Sequence, residues 1–219
     1  MRIQPPPLTN VTTLNYASDQ QIADFFHSRL ERALAKAGSG KGIAVAFPGG
    51  STPWPILKLM VEKPLAWHRI AVFPTDERDV DEDHEASNVG KLREILEPHG
   101  AMITPLAEGI DVPHFAIVWL GMGEDGHIAS LFPQAKHEVR DTQAVRVMTA
   151  KSLPKESPYN RFTLTIPSLL ACDEMVFVAR GATKREVFEG ALKGHHDLPV
   201  RMLLAARENN VAMPVTCFY

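Results

Sequence analysis

The chain has 219 residues, 45% of them hydrophobic and 22% charged, which is typical of one compact domain; we therefore predict a single domain over residues 1–219. A formal charge of −3, from 23 Lys and Arg against 26 Asp and Glu, provides no general attraction for nucleic acids or anionic lipids. No segment approaches the roughly 18 apolar residues of a membrane span, and the N-terminus lacks the apolar run of a signal peptide, so we expect a cytoplasmic protein without a membrane partner.

The first third of the chain alternates helical and strand patterns. Residues 1–10 contain three consecutive prolines and predict an extended tail. Ser18 is predicted to cap an amphipathic helix, with Gln21 completing a capping box. A strand at 43–47 leads into a glycine turn and a helix that begins near Pro53.

The alternation continues to the C-terminus. Further strands are predicted at 69–73, 115–120, 145–148, 161–166 and 175–179, and further helices at 184–192 and 199–206. Polar loops at 133–143 and 150–158 are expected near the site. Strands alternating with helices are typical of the α/β class, in which crossover helices cover a largely parallel sheet.

Polar clusters follow several of these strands, where ligands bind in open parallel sheets. The turn after the strand at 43–47 consists of Gly49, Gly50, Ser51 and Thr52. It offers uncovered backbone N–H groups, hydroxyl donors and the positive end of the next helix, a combination that suits a phosphate. The alternative is an ordinary turn in which Thr52 caps that helix.

The segment 120–133, Leu-Gly-Met-Gly-Glu-Asp-Gly-His-Ile-Ala-Ser-Leu-Phe-Pro, is the most informative one. Its glycines let the backbone fold tightly around His127, which is the predicted proton carrier because histidine is the usual acid–base residue at neutral pH. A carboxylate, either Asp125 or Glu124, can orient the imidazole, so activation of water by a general base is available. The alternative is a structural histidine in a loop.

Further charged residues follow strand or loop signals. Asp76, Glu77 and Arg78 place two acids and a base at the end of the strand at 69–73, and Arg161 and Lys184 can close on the same phosphate.

Cysteine and histidine spacing bears on disulfides and metals. Cys172 and Cys217 are far apart, which favours two buried, inert thiols over a disulfide. His195 and His196 lack further ligands at metal spacing, so we predict no metal site.

Taken in order, these motifs resemble the 6-phosphogluconolactonase branch of the glucosamine-6-phosphate isomerase superfamily. The matching segments are 49–53, 76–78, 87–88, 121–133, 161–165 and 181–184. The resemblance implies a doubly wound α/β domain with a largely parallel sheet. It also implies hydrolysis of 6-phospho-D-glucono-1,5-lactone in the pentose phosphate pathway without a cofactor, by a monomer or a weak homodimer that has no nucleic-acid partner.

The resemblance also implies roles for individual residues. His127 takes a proton from water and returns one to the departing ring oxygen, with Asp125 supporting the imidazole. Backbone N–H groups of the glycine turns, together with Arg78, are candidates for the oxyanion. Asp76 is expected to bind a sugar hydroxyl or to aid proton transfer. The substrate is expected to be held by Gly49, Gly50, Ser51, Thr52, Gly126, Arg161 and Lys184.

The sequence differs from the family pattern at two places, and two other functions are alternatives to the lactonase. Ala116 replaces an Asp that family members often carry, and the C-terminal segment 215–219 lacks the usual Trp and Asp. The deaminase branch tends to carry an acid just after the histidine, where this chain has Ser130. Sugar-phosphate-sensing transcription regulators need a DNA-binding module, and the residues before the first predicted strand contain no helix-turn-helix.

Overall fold

The computed structural model describes residues 8, 10–15, 17–135, 137–149, 153, 159–207 and 213–219. The predicted tail lies almost wholly outside the described residues, as does most of the loop at 150–158. None of the described helices combines the length and the apolar character needed to cross a membrane.

In the described part of the chain, ten strands form two sheets. In chain order they are Val11–Leu14 (β1), Ile43–Phe47 (β2), Ile70–Pro74 (β3), Asp76–Arg78 (β4), Met102–Ile103 (β5), Phe115–Leu120 (β6), Val145–Met148 (β7), Arg161–Leu164 (β8), Cys172–Val178 (β9) and Val215–Phe218 (β10). The larger sheet has the order β1-β10-β9-β6-β2-β3-β5, and all its pairings are parallel.

Six α-helices lie within the same described residues. They are Asp19–Ala37 (α1), Pro53–Val61 (α2), Asn88–Leu96 (α3), Ile166–Leu170 (α4), Ala182–Lys193 (α5) and Pro199–Ala206 (α6), with 3-10 turns at Trp67–Arg69 and Glu97–His99. The predicted capping box is confirmed, because the Ser18 hydroxyl accepts from the Gln21 N–H and the Gln21 side chain accepts from the Ser18 N–H. Pro53 occupies the first position of α2, as expected.

Helices cover both faces of the larger sheet and bury two separate cores. One core joins the apolar faces of α1, α2 and α3 to the sheet, and includes Phe26, Phe47 and Trp119. The other joins α4, α5 and α6 to the opposite face, and includes Phe177 and Phe188. The predicted α/β class with a doubly wound, largely parallel sheet is therefore confirmed.

The strand order reverses between β2 and β6. From β2 the chain proceeds to β3 and β5 on one side, whereas β6, β9 and β10 continue on the other side. The connections that follow β2 and β6 therefore leave the sheet in opposite directions, which opens a crevice at the carboxyl ends of these two strands.

Strands β4, β8 and β7 form a second sheet, which is antiparallel and has the order β4-β8-β7. The strands predicted at 145–148 and 161–166 belong to it, and the second of them ends at Leu164. The reason is that the Thr165 hydroxyl accepts from the Ser168 N–H and begins α4, in which Pro167 suits the first turn. The pairing places Asp76 opposite Thr163 and Arg78 opposite Arg161.

Candidate active site

A cleft of about 260 Å³ lies at the carboxyl ends of β2, β3, β6 and β9. Its walls come from the turn after β2, the start of β4, the loop after β6 and the first turn of α5. The predicted site residues that line it are Gly49, Gly50, Ser51, Thr52, Asp76, Arg78, His127, Arg161 and Lys184. The fold thus brings together groups that are up to 135 residues apart in the sequence, counted from Gly49 to Lys184.

The turn after β2 presents donors to the cleft. The Thr52 hydroxyl makes no capping hydrogen bond to α2, which does not fit the alternative of a plain N-cap. Pro53 and Pro55 carry no N–H, so most donors at this end of α2 belong to the turn itself. Gly49 is required there, because an added Cβ would lie 1.9 Å from Oδ1 of Asn88.

The loop after β6 presents His127 together with a carboxylate. Nδ1 of His127 lies 2.7 Å from Oδ1 of Asp125, and the His127 N–H also donates to this oxygen. Since a carboxylate only accepts, Nδ1 is the protonated nitrogen and the lone pair of the neutral imidazole is on Nε2. Of the two acids left open by the sequence, Asp125 makes this contact, and Glu124 is exposed.

Gly123 makes the close approach of His127 and Asp125 possible. A Cβ at this position would lie 2.2 Å from Nδ1 of His127 and 2.5 Å from Oδ1 of Asp125. The Gly123 N–H donates to the His127 carbonyl and the Gly126 N–H donates to the Gly123 carbonyl, which closes the loop on itself. Gly126 has φ +78° and packs against Leu198 of the segment before α6.

The opposite wall contains a buried cluster of Asp76, Ser130 and Arg161. Oδ2 of Asp76 accepts from the Ser130 hydroxyl and pairs with Nη1 of Arg161 at 3.3 Å. Burial lowers the pKa of Arg161, and the charge of Asp76 opposes this shift. A buried pair held by a further hydrogen bond is a rigid group, because moving either charge away would leave the other buried without a partner.

Arg78 and Glu77 point to different neighbours. Nη1 of Arg78 donates to the Ala86 carbonyl at 2.6 Å, and the side chain lines the cleft. Glu77 is turned toward the N-terminus of α3, where its oxygens accept from the Asn88 and Val89 N–H groups. Burial raises the pKa of Glu77, while these hydrogen bonds and that from the Arg78 N–H lower it. Glu77 is thus a structural cap for α3.

A family model described as "Glucosamine-6-phosphate isomerases/6-phosphogluconolactonase" matches residues 16–106 and 98–213. The chain belongs to this family. A 6-phosphogluconolactonase of Helicobacter pylori strain J99 is 30% identical over 91% of the chain and 92% of its own length. One from Neisseria meningitidis serogroup A is 28% identical over 84% of the chain and 88% of its own length.

Solved structures in the same family agree with the fold. The crystal structure of a 6-phosphogluconolactonase from Shewanella baltica superimposes with a TM-score of 0.79, at 25% identity, over 97% of the chain and 98% of that protein. The glucosamine-6-phosphate isomerase-like fold implied by the sequence motifs is therefore confirmed.

The cleft contains further residues to which the sequence assigned no individual role, most of them within the segments that carry the resemblance. Thr75, Asn88, Trp119, Gly121, Met122, Gly123 and Ala129 also line the cleft. Their signal was present in the segments around them, but a buried Thr or Trp at a strand end looks like core in the sequence. Asp125 and Gly126 are not among the lining residues; Asp125 contacts His127 from behind, and the Gly126 carbonyl accepts from the Val200 N–H.

Within the described part of the chain, no group of three or more His, Cys, Asp or Glu side chains could hold a metal ion. Nε2 of His196 lies 2.9 Å from the Val187 carbonyl, and His195 is exposed.

Proposed function

We propose that this chain hydrolyses 6-phospho-D-glucono-1,5-lactone to 6-phospho-D-gluconate in the pentose phosphate pathway, with side chains alone and no cofactor. One observation carries the proposal: the carboxylate-oriented imidazole of His127 and a turn suited to phosphate share one cleft. The relatives named 6-phosphogluconolactonase support the choice of substrate.

His127 acts as the general base. With Nδ1 donating to Asp125, Nε2 takes a proton from water as the water oxygen bonds to the lactone carbonyl carbon. The tetrahedral intermediate then expels the ring oxygen, which receives the proton from the imidazolium. One C–O bond forms and one breaks, so the net change is addition of water, and the new carboxylic acid releases its proton to solvent.

The oxyanion of the intermediate needs donors placed before the reaction. Arg78 is a candidate, because its Nε is buried without a hydrogen-bond partner among the described residues and its side chain lines the cleft. Backbone N–H groups of the glycine turns supply the remaining donors. Mutation of Arg78 tests how much of the oxyanion's negative charge Arg78 stabilises and how much these N–H groups stabilise.

The phosphate is held at the far end of the substrate. Ser51 and Thr52 donate hydroxyl hydrogen bonds, and Gly49 and Gly50 leave their N–H groups uncovered. Arg161 of β8 and Lys184 in the first turn of α5 add positive charge, with Gly126 supporting the loop that borders the sugar. Anchoring the phosphate fixes the carbonyl beside His127.

Asp76 is proposed to bind a sugar hydroxyl. Its Oδ2 is engaged by Ser130 and Arg161, so Oδ1 is the oxygen that accepts from the substrate. In this position the carboxylate fixes the orientation of the ring and also keeps Arg161 in place.

Release of 6-phosphogluconate from freshly generated lactone, corrected for spontaneous hydrolysis, tests the function. We expect turnover by the wild-type chain and its loss in His127→Ala, while His99→Ala, which alters an exposed histidine outside the cleft, retains it. Wild-type turnover no faster than the uncatalysed rate would refute the lactonase function, and glucosamine 6-phosphate deamination would be tested next. Full activity in His127→Ala would mean that the general base is not His127, and Asp76 and Asp125 would then be tested for that role.

We further propose that the chain works in the cytoplasm as one domain, a monomer or weak homodimer. Two free, buried thiols fit a reducing compartment. The large hydrophobic residues exposed in the described part of the chain lie on four different segments: Leu14, Met102, Val139 and Val147. Scattered residues of this kind do not form the apolar patch of an obligate dimer. Sedimentation equilibrium measures the state directly.

A further inference from the structure

The side chain of Phe132 contacts two residues of the proposed site. Its ring centroid lies 4.4 Å from that of the His127 imidazole, with 31° between the planes. The guanidinium carbon of Arg161 lies over the same ring, 5.8 Å from the centroid. Phe132 is 4% exposed and does not line the cleft, so it supports both groups from behind.

A tight turn brings Phe132 back to His127. The Leu131 N–H donates to the Ile128 carbonyl, and these two residues form an isolated antiparallel bridge. Ala129, inside this turn, has φ +47°, a conformation that a residue with a Cβ adopts only at a cost. The reversal places residue 132 against residue 127.

The position of Phe132 is fixed from its other side. Its carbonyl accepts from the Ala135 N–H at 3.0 Å and contacts Nε2 of His137. These contacts hold the backbone of Phe132, and burial of the side chain restricts the ring, so the ring is a fixed surface against which His127 packs.

His127 depends on this surface more than Arg161 does. Asp125 holds the His127 imidazole at Nδ1, and the two side chains are 39% and 31% exposed, so this contact fixes the tautomer while the Phe132 ring restrains the plane of the imidazole. Arg161 is buried and is also held by Asp76 and Ser130. Loss of the ring would therefore free the imidazole while the guanidinium stays in place.

We propose that Phe132 is a positioning residue for the reaction, which holds the His127 imidazole at the angle that directs Nε2 toward the substrate. This inference rests on the proposed function. It predicts a defect in kcat and not in KM, because the residues that bind the phosphate keep their own supports.

Phe132→Leu tests the inference, with Phe115→Leu as a matched control. Phe115 is an equally buried ring at the opposite, N-terminal end of β6, so its replacement leaves a similar cavity away from the cleft. We expect kcat of Phe132→Leu to fall about 10- to 100-fold, with KM changed less than about 3-fold, and Phe115→Leu to stay near wild type. If Phe132→Leu does not fold, Phe132→Met removes the ring with an unbranched, flexible side chain that adapts better to the gap.

A spectroscopic measurement separates positioning from general damage. The ring current of Phe132 shifts the carbon-bound imidazole protons of His127 upfield in the NMR spectrum, and His127→Gln assigns these signals. We expect the shift to vanish in Phe132→Leu and to persist in Phe115→Leu. Unchanged kcat in a folded Phe132→Leu chain, or equal losses in both variants, would overturn the inference. Absence of turnover in the wild type as well would instead refute the proposed function.

Discussion

Oδ1 of Asp125 lies 2.7 Å from Nδ1 of His127, two residues later in the same loop. This contact fixes which imidazole nitrogen carries the proton, and it is made by neighbours in sequence and not by distant elements. The geometry of the loop therefore governs the proton carrier.

Asp125→Asn is expected to lower kcat about 10- to 100-fold with little change in KM. The amide presents either a neutral acceptor or an N–H donor to Nδ1, and the donor would favour the tautomer whose Nε2 is protonated and cannot act as a base. Steady-state lactone hydrolysis measures the effect. Glu124→Gln is the control, since Glu124 is the exposed neighbouring acid, and we expect it to retain activity. Equal losses in the two variants would contradict the assignment.

Gly123→Ala is expected to reduce kcat about 100-fold in a chain that still folds, because the new Cβ would lie 2.2 Å from Nδ1 of His127 and displace it. Gly121→Ala is the comparison in the same loop: its added Cβ would meet no protein atom within 4 Å, and because Gly121 lines the cleft we expect any effect on KM and not on kcat. The same assay, with circular dichroism as the folding check, compares them. An active Gly123→Ala chain would show that the imidazole tolerates another position.

Lys184→Met is expected to raise KM for the phosphorylated lactone about 10- to 100-fold, as a charge-assisted contact to phosphate is lost. Lys193→Met changes an exposed lysine at the other end of α5 and should leave KM unchanged. Unphosphorylated gluconolactone is the discriminating substrate. If its hydrolysis suffers as much as that of the phosphorylated lactone, Lys184 does not bind the phosphate.

Much of this architecture can be predicted from the sequence, and the elements that cannot be predicted are missed for physical reasons. The strand at 43–47 and the α1 capping box depend on local patterns, so they are predicted correctly. Strands β1 and β5 are short edge strands of four and two residues, too short for a period-2 pattern to stand out. That β4, β7 and β8 form their own sheet depends on long-range pairing, which periodicity does not contain.

The site shows the same division. The glycine turns and His127 can be predicted from the sequence, because the local geometry of the loops requires these residue types. The pairing of Asp76 with Arg161 joins positions 85 residues apart. The orientation of Glu77 toward α3, away from the cleft, is likewise invisible in the segment Asp-Glu-Arg, where its neighbours on both sides line the cleft.

Glu77→Gln is expected to destabilise the folded chain by about 1–3 kcal/mol without a direct effect on KM. The amide would turn a donor toward N–H groups that now donate to the carboxylate, among them that of Val89. Urea unfolding measures the free energy. Glu85→Gln, at an exposed position in the preceding loop, is the control and should change stability by less than about 0.5 kcal/mol. An equal free energy of unfolding for the two variants would show that Glu77 does not stabilise the N-terminus of α3.

The two thiols are expected to be unreactive in the folded chain. Cys172 and Cys217 are free and buried, and burial raises the pKa of Cys172 to about 12 and that of Cys217 further still. Since the thiolate is the reactive form, a disulfide reagent such as Ellman's reagent should label neither thiol at pH 8. Both should react once urea unfolds the chain, so the labelling rate in native buffer reports opening of the core. Rapid labelling of one thiol without urea would mean that its strand, β9 or β10, opens locally.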